Sequence, residues 1–471
     1  MRLIRLRFAL VSLIVAGCGA APAAPEDGGA PDLGPPLVGG ARLYAGRAHV
    51  AGVTSDGWVA VLDDDRGALA VSLSGAGVQV IDPAAEVLVV SGRLILAARD
   101  YDPLLGVGDA TLWSAAGGAR PLTSAWLTSQ QASSDDGKHL VLADHLSADG
   151  KSADLAYVTT ATGARVTLFA QISEVGSCHP RFGFADGRFV VTHCAAGTQL
   201  ISVSSIDAAN GAITDLQTPA KNLFSIDRAN KRVLVTNDAG GALLVPIAGG
   251  AATPLGAPPG VVFGELTSDG SAAILRTGSS LLRAPADGSA ALDLVPGGVN
   301  TVLGTAPDSR HIIFGSNFDP HFGYTDLILA STEAAGSPVT LSAATDGMIL
   351  AGGFTTDGSR AVYLTGAGDL PVGALESQPV GGGAPTVHGA AVARALAAGG
   401  TRLVFNDHFF TVPKQGGRAD LLVADSASGA APTLLATRAD ELFFLAAARS
   451  QVVYAFNEGG PLDGVYLATL P

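Results

Sequence analysis

The chain is short of charge, of lysine, of cysteine and of any helical period, and each shortage excludes something. Only 15% of the 471 residues are charged while 48% are hydrophobic, which rules out a disordered chain and a coiled coil. Five of the 28 basic residues are Lys, and 42 acidic residues bring the net charge to −14. Nucleic acid, whose binding needs clustered positive charge, is excluded as a partner, and a basic face for anionic lipid is disfavoured. After residue 40 no apolar run approaches the ~20 residues that a membrane-spanning helix needs. There is no G-x-S-x-G elbow and no H-E-x-x-H pair. Gly150-Lys151-Ser152 imitates the end of a phosphate-binding loop, but His145 stands where the first Gly of that motif belongs. No cofactor, catalytic residue or metal ligand is assigned.

What the chain has in plenty is glycine, 61 residues of it, much of it placed in repeats. An apolar strand, a turn built on Asp-Gly and a second apolar strand recur from residue 41 onward. The turns are Ser55-Asp56-Gly57, Asp135-Asp136-Gly137, Ala185-Asp186-Gly187, Ser268-Asp269-Gly270 and Thr356-Asp357-Gly358. Weaker copies sit near Gly92, Asp227, Asp308, Gly399-Gly400 and Arg449-Ser450. Asp-Gly between apolar runs predicts a hairpin, because Gly accepts the positive φ of a tight turn. Ten turns between positions 56 and 449 are spaced by (449 − 56)/9, roughly 44 residues, the period of a four-stranded propeller blade.

Units such as SSDDGKHLVLADHLSADGKSADLAYVTTATGARVTL resemble the WD-repeat-like propeller repeats of the TolB family. The resemblance implies an all-β fold, a β-propeller of four-stranded antiparallel blades over residues 41–471. Ten blade-like units are counted, with eight to ten blades expected; the lack of a Pro-rich divider favours one ring over two. The unit from Glu441 shows three strands, and Ala41–Ala45 is expected to supply the fourth and close the ring. TolB also carries an α/β domain with no counterpart in this sequence, so its role is not carried over.

The N-terminus has its own pattern. Arg2, Arg5 and Arg7 precede an apolar run from Phe8 to Ala16, and Val15-Ala16-Gly17-Cys18 resembles the lipobox of bacterial lipoproteins. That resemblance implies a signal peptide over 1–17, a lipid on Cys18, and a cell-envelope protein anchored to a membrane. Gly19 rather than Asp follows the Cys, which favours the outer membrane over the inner. Residues 18–40, almost all Ala, Gly, Pro and acidic, read as a flexible tether.

Cys178 and Cys194 lie eight residues either side of Asp186, so a hairpin about that turn brings them face to face. With Cys18 lipidated they make an even pair in an oxidising compartment, and a disulfide is expected. The rival is a Cys/His metal site with His179 and His193, opposed by the alternation of strand neighbours between faces. The loops joining second and third strands carry Tyr101, Asp102, His145, Asp319, His321, Phe322, His408, Phe409 and Phe410. If the blades close, these residues share one rim, a candidate binding surface for an envelope protein or glycan. Asp109, Asp154, Asp326, Asp420 and Asp463 recur before the third strand, where Asp accepts loop hydrogen bonds. The function expected is a lipid-anchored, non-enzymatic binding scaffold. The alternatives are an envelope hydrolase or lyase with a metal-assisted site on the rim, and a purely structural lipoprotein.

Overall fold

The repeats contain strands with no polar side. In His139–Asp144, residues Leu140, Val141, Leu142 and Ala143 are all fully buried. A strand apolar on both faces is stable only between two covering layers, so sheets of this kind have to stack. In the computed structural model the described residues are 36–471, apart from 175–177, 179, 196–197, 199, 228–229, 320–322, 337, 344–347, 367–371 and 413–415. They contain 39 strands and no α-helix.

The strands pair into nine antiparallel sheets, eight of four strands and one of seven. The large sheet is two blades that share the 15-residue strand Ile213–Asp227. That strand pairs with Ile201–Asp207 as far as Ala220, and from Ala220 onward with Arg232–Asn237. The result is ten blades, numbered here from residue 48, each with strands a to d from the axis outward. Every one of the ten turns marked by the repeat lies between strands a and b.

Apolar clusters fill every interface between successive blades, ten in number. One of them joins the last blade to the first, through Val453 and Val465 against Val50 and Val61. An open arc would have one interface fewer, so the fold is a single closed ten-bladed propeller. Ten blades turn the circle in steps of about 36°, and sheets that radiate from an axis crowd together near it. Inner strands therefore use residues without bulk. A Cβ on Gly52 would lie 2.8 Å from Val90 of the next blade, and one on Gly264 2.8 Å from Leu234.

Closure uses the chain ends. Ala41–Ala45 is strand d of blade 10, with Ala41 opposite Leu467 and Ala45 opposite Gly464. Asn457 of blade 10 accepts a hydrogen bond from Ala48 N (3.0 Å) and donates to Ala48 O (2.7 Å) and Asp440 (2.9 Å). Arg418 pairs with Asp440 at 2.8 Å, both buried, so blades 9, 10 and 1 meet in one polar knot. Closure leaves no blade with a missing strand. The ring also takes in residues 36–40, which composition assigns to the tether: Gly39 N donates to Leu435 O, and Val38 bridges Ala436 on blade 9.

Four of the a–b turns, in blades 1, 3, 6 and 8, share one hydrogen-bond scheme. In blade 3 the Ser134 hydroxyl donates to Asp136 (2.7 Å) and accepts from His139 N (3.0 Å), while Gly137 takes φ 70°. Thr54, Thr267 and Thr355 repeat the hydroxyl-to-carboxylate bond with Asp56, Asp269 and Asp357. The Asp-Gly signature is thus a fold signal, present because each blade needs the same tight corner.

Candidate functional site

The b–c hairpins all emerge on the face opposite the a–b turns, as an antiparallel meander in a closed ring requires. In blades 2, 3, 7 and 9 a residue within strand b, or in blade 3 just after it, is in the left-handed region: Asp100, His145, Asn317 and His408, with φ from 50 to 54°. Across from the preceding residue, on strand c, stand Asp109, Asp154, Asp326 and Asp420.

Those carboxylates hold the hairpins in shape. Asp420 meets the His408 imidazole at 3.1 Å and accepts from Arg438 N at 3.2 Å. Asp154 lies 3.5 Å from His145 and accepts from Gln171 N at 3.0 Å. Asn317 donates to Asp326 in the same way. Gln171 and Arg438 are themselves left-handed residues on strand d, where the c–d ladder slips register. In blades 3 and 9 one Asp therefore secures two irregular positions, on the b and d sides of the hairpin. Asp463 does related work, accepting from Glu458 N and Gly459 N at 2.8 and 2.9 Å.

Blade 3 gathers the densest charge. Asp144, His145 and Asp154 offer ligand atoms that all lie within 4.8 Å of one another. Arg165 occupies that cluster, fully engaging buried Asp144 through Nε (2.8 Å) and an Nη (2.7 Å) and approaching His145 Nδ1 at 3.2 Å. Thr123 of blade 2 adds a hydrogen bond to Asp144 at 2.7 Å. The hydrogen bond to Asp144 holds the Arg165 pKa above its ordinary value. A dication entering here would meet a guanidinium already compensating the carboxylates, so the donor set does not fit a metal.

Blade 4 holds a second imitation of chemistry. Ser204 donates to Asp215 (2.9 Å) and meets His193 (3.1 Å), but the hydroxyl is fully buried and central, whereas an activated serine needs His between it and Asp. Burial pushes the His193 pKa down.

The residues singled out from the sequence divide as follows. Tyr101 packs, half-buried, against the apolar cluster between blades 2 and 3 and is not a free rim group. Asp102 accepts from Leu104 N at 2.8 Å and shapes its own turn. Phe409 lies over Gly417, where a Cβ would strike the ring, while Phe410 points outward. His145 and His408 are partly exposed and belong to blades 3 and 9. Asp319 pairs with Gly323 at the end of the blade 7 hairpin; His321, Phe322 and Cys18 lie outside the described residues. Of the described ones, Asp102, His145 and His408 serve their own hairpins on the b–c face. Cys178 and Cys194 form a disulfide with Cα atoms 5.5 Å apart. It ties the entry of blade 4 to the end of its strand b. Sequence reasoning missed Arg165 and Thr123, because their partner Asp144 is brought to them by a register and an interface that spacing does not reveal. It also passed over Leu104 and Leu105, an apolar pair in a turn, which is an anomaly legible in the sequence.

No protein-family model and no curated protein matches the chain. Among solved structures, it is similar to a eukaryotic initiation factor at 14% identity, over 72% of this chain and 86% of that one, with a TM-score of 0.49. It is similar to dipeptidyl peptidase 4 of Porphyromonas gingivalis at 11% identity, over 75% and 59%, with a TM-score of 0.47. A third likeness is to oligogalacturonate lyase of Vibrio parahaemolyticus, 12% identical over 58% and 83%, with a TM-score of 0.34. At such distances none of these bears on activity.

Proposed function

We propose that the protein is a lipid-anchored ring of the cell envelope, held through Cys18 at the outer membrane, that serves as a non-enzymatic binding scaffold for a protein or glycan. The observation that carries this reading is the commitment of the rim's ionisable groups. Asp144, Asp154 and Asp420 are each engaged in fixing a loop, and His145 and His408 rest against two of them. Catalysis would need a nucleophile or base left available within reach of a substrate. A preorganised, chemically quiet surface is what a scaffold needs, because rigid loops lose little entropy on binding.

The test is capture from envelope extracts by the anchored protein and by its His145→Ala/His408→Ala variant. A stoichiometric partner held equally by both supports the scaffold. A molecule turned over by the wild type and trapped by the variant would assign an enzyme instead. Loss of the fatty-acyl mass shift and of membrane partition in Cys18→Ser tests the anchor separately.

A further inference from the structure

The ten strands a surround the axis of the ring, and their side chains leave one charge unanswered. Packed sheets stand about 10 Å apart, so ten of them cannot meet at a point and enclose a channel on the order of 25 Å between opposite backbones. Its wall is mostly apolar. Phe184, Phe224, Phe263, Phe354 and Phe444, on strands a of blades 4, 5, 6, 8 and 10, are half-buried, and an innermost strand has the channel as its solvent.

Two carboxylates stand on the ten strands a, Asp227 and Glu265. Asp227 closes its own turn, paired with Arg232 at 3.0 Å and with Asn230 at 2.9 Å. Glu265 has no cation beside it among the described residues; its Oε2 accepts from the Thr305 hydroxyl of blade 7 at 2.6 Å. Burial pushes its pKa up. A carboxylate in an apolar wall is costly unless a positive charge answers it.

Beside Glu265 the wall is bare backbone. Thr305 follows Gly304, where a Cβ would lie 3.4 Å from Gly352 O and 3.5 Å from Gly353 Cα of blade 8. A Cβ on Gly353 would meet nothing within 4 Å, and φ there is not positive. Neither packing nor backbone conformation therefore accounts for that glycine. Glycine inside a strand marks a place where another group approaches closely. The bare stretch runs between two half-buried rings: Phe263, on the same strand face as Glu265, and Phe354, which follows Gly353.

The donor set selects the ligand. One carboxylate and one hydroxyl fall well short of the six to eight oxygens that calcium takes. A guanidinium binds best across both carboxylate oxygens, and Thr305 already holds Oε2. An ammonium is a compact charge on an alkyl stem; Oε1 answers the charge, and aromatic rings attract it as well.

We infer that the axial channel binds a primary ammonium on an alkyl stem, with Glu265 as its counter-charge and Phe263 and Phe354 beside the stem. Free amines and the lysine side chains of a peptide share this chemistry. The site is separate from the rim and stands whether or not the rim holds a partner.

Hexylamine titrated calorimetrically into the full-length protein at pH 8, where the amine is charged, should bind at one site per ring. Hexanol, with the same stem and no charge, should not bind. Glu265→Gln keeps the shape and should weaken hexylamine at least about tenfold, the loss of one charge-assisted hydrogen bond. Its melting curve should lie no lower than that of the wild type, because a buried charge without a cation is removed. Gly353→Val should fold, since its side chain enters open space, and should obstruct the amine. Acetyl-Gly-Lys-Gly-amide titrated in parallel names the source: tighter binding than hexylamine assigns a polypeptide, weaker binding a small amine. Absence of hexylamine binding, equal binding of hexanol, or unchanged binding by Glu265→Gln overturns the site. None of these readouts involves the rim or Cys18.

Discussion

Asn457→Ala should open the ring at its seam. The side chain is fully buried and spans from blade 10 to the backbone of Ala48, pairing both its N–H and its C=O, and also donates to Asp440. Alanine removes all three bonds and leaves two buried backbone groups unmet. Each unmet group costs about 1–3 kcal/mol, so the expected loss is about 2–6 kcal/mol. Urea unfolding followed by tryptophan fluorescence reads this directly, since Trp58, Trp113 and Trp126 lie in blades 1 and 2, beside the seam. Limited proteolysis should then release Ala41–Ala45 first, because that edge strand pairs with a single strand, Gly464–Thr469, and its other hold, Tyr44 on Asp63 of blade 1, crosses the same seam. Asn457→Asp should be worse at neutral pH, for it sets a second carboxylate against Asp440. That carboxyl's folded pKa would be raised, so the destabilisation is present above it and eases as the pH falls through it. A variant Asn457→Ala within about 0.5 kcal/mol of wild type, or one first cut in another blade, would refute the seam.

Loss of the Cys178–Cys194 bond by double replacement with Ser should lower stability by about 3 kcal/mol at most, given its separation of 16 residues, without abolishing the fold; urea melts with and without reductant check it. The hydrogen bond that His49 donates to Asp440 raises the His49 pKa above 6.5, so the stability it adds is fully present below that value and lost as the pH rises through the folded pKa. His49→Gln should therefore differ most from wild type in acid and converge with it in alkali, as unfolding free energies measured across pH 5–9 will show. Asp269, bound by the amide of Ser271 and the hydroxyl of Thr267, has its pKa lowered to about 2. Its contribution is present above about 3.8 and lost as the pH falls toward 2, so Asp269→Asn should flatten the acid limb of a stability–pH profile. An unchanged acid limb would count against the turn scheme.

Much of the architecture is local, and that part was readable in advance. A tight a–b corner needs a residue at positive φ, and in blades 1, 3, 6 and 8 it is Gly after an Asp bonded by a hydroxyl two residues before it. Such corners repeat with every blade. The ten turns, the all-β class, the ring and the fourth strand at Ala41–Ala45 follow from counting them. The hairpin about Asp186 likewise put Cys178 within reach of Cys194. What tertiary structure decided is where residues from different blades meet. Strand Ile213–Asp227 serves two blades because its halves find different partners, which no turn signal announces. Arg165 fills the cluster of Asp144, His145 and Asp154 only because strand d slips register opposite Asp154, and Thr123 reaches it only across an interface. Tyr101 was placed on the rim by its loop and in the core by its neighbour blade. Spacing along a chain specifies which face a loop emerges on; burial and charge neutralisation depend on what the next blade brings, and that is set by the closed ring.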